Sequence, residues 1–383
     1  VPGAPDVVVA GGGVIGLSAA WELAGRGLRV CVVDPEPGKG AGWVAAGILS
    51  PLTEASLDNR SLAGLFLAAA GRWPQFAERL SDSTGVDVGF QTCGSVAVAR
   101  SATELATVEQ LLDAHHELGL AATRLSGPEC RERLPLLSPD VEGGAFIPGD
   151  HQVDNRAVLH ALVEGCRRAG VDCVAARVEA VGTDSTGAAS YVVTTGGTVH
   201  GGAVLLAAGT QTPRIAGVPE GVVPAVHPVN GHVVRLRAAH GQQVFCHTVR
   251  GTVDGRHCYL VPRRDGSVVL GATSEERGDD TQVRAGALHA LLADGRTLVP
   301  ALDHWEVLEC TAGLRPRSAD GVPIVGPTTV ARLYTATGHY RNGFLLAPIT
   351  AEALADSLTG GDVPAALRLA RPDRRVRSRA RAT

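Results

Sequence analysis

The sharpest chemistry-bearing pattern in the chain is Gly11-Gly12-Gly13-Val14-Ile15-Gly16, where Gly11, Gly13 and Gly16 satisfy G-x-G-x-x-G. It comes directly after a short apolar run and opens a helical one. There each glycine has its own task. Gly11 permits the tight turn, Gly13 lets a pyrophosphate approach the backbone, and Gly16 lets helix and strand pack closely. The phosphates then rest on the unpaired N–H groups and positive dipole end of the helix. Asp34 lies 18 residues beyond Gly16, where a carboxylate accepts from a ribose hydroxyl. That acid disfavours the 2′-phosphate of NADP. A plain glycine turn is the bland alternative, but the strand–glycine–helix–strand–acid context favours a dinucleotide.

The segment after Asp34 separates FAD from NAD. The run Gly40-Ala41-Gly42-Trp43-Val44-Ala45-Ala46-Gly47 is dominated by small residues. Small side chains suit close backbone approach along a longer ligand, which favours FAD; a glycine-rich loop alone is the alternative. A later strand ending in Ala208-Gly209 fits the same picture. Near the end, Gly313-Leu314-Arg315-Pro316 and Gly338-His339-Tyr340-Arg341-Asn342-Gly343 place two arginines in glycine-rich surroundings. A guanidinium there matches a carboxylate, or else forms a structural ion pair. The second stretch feeds a helix, whose positive end can support a partial negative charge.

These residues need a scaffold. Residues 7–10, 29–34 and 203–208 read as buried strands, and 15–25 as the helix between the first two, which forces a parallel sheet. Helical periodicity marks 62–80, 103–118, 158–169, 281–298 and 351–358, while 86–100 and 222–273 read mainly as strands. Dinucleotide-type segments recur at the start, middle and end, with strand-rich inserts between. The expected architecture is α/β: a Rossmann-type FAD-binding domain (1–85, 151–215 and 311–370) interleaved with a strand-rich, α+β substrate domain (86–150 and 216–310). The tail 371–383 carries six Arg and one Asp and is expected to be disordered.

Composition narrows the class. Of 383 residues 45% are hydrophobic and 19% charged, which is globular. A net charge of −4 with 4% aromatic residues disfavours a nucleic-acid partner. The eight cysteines show neither C-x-x-C nor metal-ligand spacing, so no metal site is expected, and they read as core residues of a reducing compartment. Residues 1–6 are too short and lack the charged start of a leader, and no apolar run reaches membrane length. A cytoplasmic protein without membrane contact is expected.

Three stretches carry a resemblance. VVVAGGGVIGLSAAWELAGRGLRVCVVD with GAGWVAAGILSPLTE, DHQVDNRAVLHALVEG, and TAGLRPRSADGVPIVGP with GHYRNGFLLAP are similar to the glycine oxidases of the thiamine pathway, within the FAD-dependent D-amino-acid oxidase and amine oxidase family. The likeness runs to about Leu358. It implies that Val14 and Ile15 lie against the FAD pyrophosphate and that Asp34 takes the adenosine ribose. It also implies that Ala41, Gly42, Ala46, Gly47 and Ile48 line the ribityl path and that Val178 contacts adenine. His339, Tyr340, Arg341, Asn342, Gly343, Phe344 and Leu345 would wrap the flavin ring. Arg315 and Arg341 would hold the substrate carboxylate, with Tyr259 adding a hydroxyl and His257 at the pocket edge. Gly313 stands about where some relatives carry a flavin-linking cysteine, and Cys310 falls too early, so FAD is expected to be non-covalent.

The chain departs from that pattern at Asn230, His232 and Ser274, which brings free glycine into question as the substrate. The implied reaction is hydride transfer from a small amino acid or amine to flavin N5. Reoxidation by O2 gives hydrogen peroxide, and the imine hydrolyses to an oxo acid and ammonia. Three alternatives stay open: the same chemistry on an N-substituted or conjugated glycine in specialised, antibiotic-type biosynthesis, an NAD-linked dehydrogenase, and a non-catalytic flavin-binding protein. A homo-oligomer is compatible with the resemblance.

Overall fold

The apolar run Val7–Ala10 is buried on both faces and pairs in parallel with Ala203–Leu206 on one side and Val30–Val33 on the other. Strands covered on both faces have no need of polar alternation, which is why these segments are continuously aliphatic. The computed structural model describes residues 3–52, 62–238, 244–361 and 363–374. The full sheet has six strands in the order Ile324–Pro327, Leu333–Thr337, Ala203–Leu206, Val7–Ala10, Val30–Val33, Asp172–Val174. One face is covered by the helices Val14–Gly25, Asn155–Arg168 and Gly343–Leu358, which share a core with Leu17, Leu162 and Leu354 fully buried. The other face packs on a three-stranded sheet, Val178–Thr183, Ala189–Thr194 and Gly197–His200, through Val8, Val33, Val192 and Leu206.

A second sheet has eight strands: Glu306–Ser318, Val226–Arg237, Ser267–Gly271, Arg256–Pro262, Thr248–Val253, Ser95–Ala99, Gly143–Ile147 and Thr123–Ser126. Alternation along these strands divides their side chains between two environments. Val234, Leu260 and Leu270 pack on the helix Ala285–Leu298. Val233, Tyr259 and Val261 face Val44, Ala46 and Ile48 of the small-residue run. The α/β class, with a Rossmann-like cofactor region and a strand-rich region, is therefore the observed architecture.

Several boundaries differ from the sequence reading. The helix expected over 62–80 is two helices, Ala63–Ala70 and Trp73–Thr84, because Gly71 ends the first and Pro74 suits only the first turn of the second. The helix expected over 351–358 is Gly343–Leu358; it accommodates Pro348 internally, a residue that hides its start in the sequence. The helix expected from 281 begins at Ala285. At the start of the arginine-rich tail, Arg374 makes a two-pronged bond to Asp320, with both distances 2.9 Å. Burial pushes the Asp320 carboxyl up, but the Arg374 pairing together with hydrogen bonds from the Val322 N–H and Ser318 outweighs it and holds the carboxyl below the usual range. The rest of the tail lies outside the described residues. Among those residues no helix is long and apolar enough to cross a membrane.

Candidate active site

The three motif glycines do three separate physical jobs. Gly11 has φ +112°, and a Cβ there would lie 2.5 Å from the Ala207 carbonyl. A Cβ on Gly16 would lie 1.9 Å from the Gly11 carbonyl, so this glycine sets how closely the helix meets the turn. A Cβ on Gly13 would meet nothing within 4 Å; it would project into a cavity. Gly13 caps the helix Val14–Gly25 without a side chain, and the first turn carries no acid. Its N–H groups and positive dipole end suit an anion. Asp34 accepts from the Gly12 and Glu36 N–H groups at 2.7 and 2.8 Å, which fixes its carboxylate at the cavity wall. Its remaining lone pairs suit hydroxyl donors.

The cavity has a volume of about 1280 Å³, above the roughly 300–1,000 Å³ of a drug-sized site. It runs from Gly11, Gly13, Val14, Ile15 and Asp34 past Ala41, Gly42, Ala46, Gly47, Ile48 and Val178 to Gly209 and Gly313. At its far end are Tyr259, Arg315, His339, Tyr340 and Arg341, while Gly343 and Phe344 line it beside Val14 and Gly42. An anion-ready helix start, a fixed carboxylate and a long wall of small residues fit FAD, with room for a small substrate beyond. Three other expected residues stand outside the lining. Gly16 packs in the turn, Asn342 caps the helix Gly343–Leu358, and Leu345 is buried beside Trp73, which donates to its carbonyl at 3.2 Å.

Two side chains at the far end rest on glycines. A Cβ on Gly231 would lie 2.2 Å from Arg315 Nη1, so the guanidinium lies directly over that backbone. Arg315 Nη1 also donates to the Thr273 carbonyl at 3.0 Å and that of Asn230 at 3.4 Å. Likewise, a Cβ on Gly271 would lie 2.4 Å from the Tyr259 hydroxyl. The strand register places Tyr259 opposite Gly271, and Gly231 opposite Gly313. Neither Gly231 nor Gly271 is a candidate from sequence, although an isolated glycine inside a strand pattern signals close approach.

Tyr340 has a left-handed backbone, φ 52°. The guanidinium of Arg341 lies 5.2 Å from its ring centroid and that of Arg317 5.6 Å. Burial pushes its phenol up, but the charges of Arg341 and Arg315 and hydrogen bonding with Ser274 outweigh it, and the phenol is held below its ordinary value. Its hydroxyl is 3.4 Å from Ser274 Oγ. His339 is buried, with Nε2 3.2 Å from Thr350 Oγ1, and burial pushes its imidazole down to about 3. It is neutral at physiological pH.

The three departures behave differently. Along the strand, Gly231 and Val233 line the cavity, while Asn230 and His232 alternate onto the opposite side. Both are buried, and both anchor the segment after Thr273. His232 Nδ1 is 2.8 Å from Thr273 Oγ1, and its Nε2 is 3.3 Å from the Gln282 carbonyl. Asn230 Nδ2 donates to the Asp280 carbonyl. Of the three side chains only that of Ser274 reaches the cavity's polar cluster, through Tyr340; Asn230 meets Arg315 through its main-chain carbonyl alone. Cys310, opposite Val234, packs toward the helix-covered core.

The pattern described as "FAD dependent oxidoreductase" (DAO) matches residues 6–357. Glycine oxidase of Geobacillus kaustophilus is 34% identical over 355 residues, covering 92% of each chain. The bifunctional protein ThiO/ThiG of Trichormus variabilis is 32% identical over 92% of this chain and 52% of its own length. The crystal structure of the Geobacillus glycine oxidase superposes with a TM-score of 0.90 at 31% identity, covering 97% of this chain and 99% of that one. The chain is an FAD-dependent oxidase of amino-acid-type substrates and belongs to the DAO family of FAD-dependent oxidoreductases.

Proposed function

We propose that the enzyme oxidises the carbon–nitrogen bond of glycine or a similar small amino acid or amine, releasing an imine that hydrolyses to an oxo acid and ammonia. The supporting observation is the seat of Arg315: a two-pronged cation laid over Gly231 in the same cavity wall that presents Tyr259. Arg315 binds the substrate carboxylate through its fork, and Arg341 adds a second positive charge beside it. Tyr259 donates its hydroxyl to the same group. Anchoring one end of the substrate orients its α-carbon, an effect worth on the order of several kcal/mol. When bound, non-covalent FAD supplies the two-electron oxidant, and O2 regenerates it with release of hydrogen peroxide. The start of the helix Gly343–Leu358 carries no acid, so it offers positive potential to negative charge developing nearby. His339 leaves that surface uncharged on its own account.

A second reading is an N-substituted or conjugated glycine, which would release an amine. It is supported by the hydroxyl pair Ser274–Tyr340 and by the length of the cavity. A peroxide assay over glycine, sarcosine and larger N-substituted glycines tests both readings. Preference for glycine supports the first, preference for larger substrates the second, and no peroxide from any amine refutes both. The eight cysteines, all unpaired, support a cytoplasmic location. Homo-oligomer formation belongs to the same proposal, and light scattering tests it. We also propose the division into an FAD-binding domain (1–85, 151–215, 311–370) and a substrate domain (86–150, 216–310), the boundary at 310 falling inside the strand Glu306–Ser318 of the eight-stranded sheet, which runs between the two.

A further inference from the structure

The small-residue run beside the cavity has little side chain with which to fix its own path. Its backbone is held from behind. Asn155, fully buried at the start of Asn155–Arg168, donates Nδ2 to the carbonyls of Gly42 at 2.8 Å and Trp43 at 3.0 Å. Its Oδ1 accepts from Arg235 Nη2 at 3.0 Å and Arg263 Nη2 at 3.4 Å. Arg263 also donates to the carbonyls of Ala46 at 2.6 Å and Val153 at 2.9 Å. At the rim, Arg156 donates Nε to the Trp43 carbonyl at 3.3 Å and pairs with Glu309 at 2.7 Å.

Arg235 and Arg263 are each 8% exposed. Taking guanidinium groups out of water is costly, and apolar residues of similar volume would fill such a space without that cost. Burial lowers the pKa of both, Arg235 to about 10, yet they stay charged at neutral pH. Arg263 bonds the Ala46 carbonyl directly, whereas Arg235 bears on Gly42 and Trp43 through Asn155. Arg263 directly succeeds the strand Arg256–Pro262, and alternation places it on the same side as Tyr259.

We infer that Arg263 and Arg235, acting with Asn155 and with Arg156 at the rim, are positioning residues for FAD: they fix the backbone of residues 42–46 and thereby set affinity for the dinucleotide. The inference rests on reading that run as the cofactor loop.

Titrating apoprotein with FAD, monitored by flavin-fluorescence quenching, measures this without turnover. Arg263→Lys and Arg263→Gln are both expected to weaken FAD binding roughly 10–100-fold, from loss of charge-assisted hydrogen bonds. Arg156→Gln, at the accessible rim, is expected to weaken it less, with the thermal midpoint of the apoprotein unchanged. Wild-type FAD affinity in Arg263→Lys and Arg156→Gln overturns the inference. Recovery by lysine alone also overturns it, since charge and not the fork would then suffice. If the Arg263 variants fail to fold, Arg156→Gln decides. Ala41→Trp tests the loop itself: if it too leaves FAD binding untouched, the loop assignment falls. If it abolishes binding while the arginine variants do not, only the clamp falls.

Discussion

The guanidinium of Arg315 lies on the backbone of Gly231, so closely that a Cβ at that glycine would come within 2.2 Å of Nη1. A strand glycine thereby determines where the cation in the cavity can sit. Gly231→Ala is expected to push the guanidinium aside and lower kcat/KM about 100-fold, mainly through KM. Flavin content should be unchanged. Steady-state kinetics on purified, flavin-loaded protein checks this.

Arg315→Lys tests the fork itself. It keeps the charge but loses paired, planar donation. KM for the amino acid is expected to rise roughly 10–100-fold, with a smaller effect on kcat. Unchanged kinetics would remove Arg315 from the site.

Gly13 and Gly16 belong to one motif but should fail differently. Gly13→Val has open space, so a folded, colourless apoprotein is expected. Gly16→Ala drives a methyl group into the Gly11 carbonyl, and a loss of about 3 kcal/mol or more of stability is expected. Absorbance at the flavin band and thermal melts separate the two outcomes.

His339 makes stability depend on pH. Its folded pKa, about 3, is depressed below the 6.5 of an exposed imidazole. The unfolded chain therefore binds the proton first. This contribution is complete above pH 6.5 and is lost as pH falls toward 3, at about 1.4 kcal/mol per pH unit. His339→Gln should flatten that part of the acid limb in urea melts. An unchanged slope would contradict the burial of a neutral imidazole.

The cofactor half of the site was legible because phosphate recognition uses local chain geometry. Gly11 to Gly16 and Asp34 lie within one strand–helix–strand unit, so their spacing carries the signal. Arg315 and Arg341 stood out through their glycine-rich surroundings and the family resemblance. Gly231 and Gly271 were missed because their role depends on which strand lies alongside, a register that no local pattern encodes. Asn155, Arg235 and Arg263 were missed for a related reason: in an arginine-rich chain, burial alone distinguishes them. His232 and Asn230 looked like pocket changes from sequence, and strand alternation places them on the reverse side.

The central claim is tested most directly by the visible spectrum of the purified protein, recorded anaerobically before and after adding glycine. Oxidation of glycine requires a flavin band that bleaches on addition and returns with air, releasing peroxide. A flavin band untouched by glycine, sarcosine and larger N-substituted glycines alike would contradict the assignment of Arg315 and Tyr259 to an amino-acid pocket.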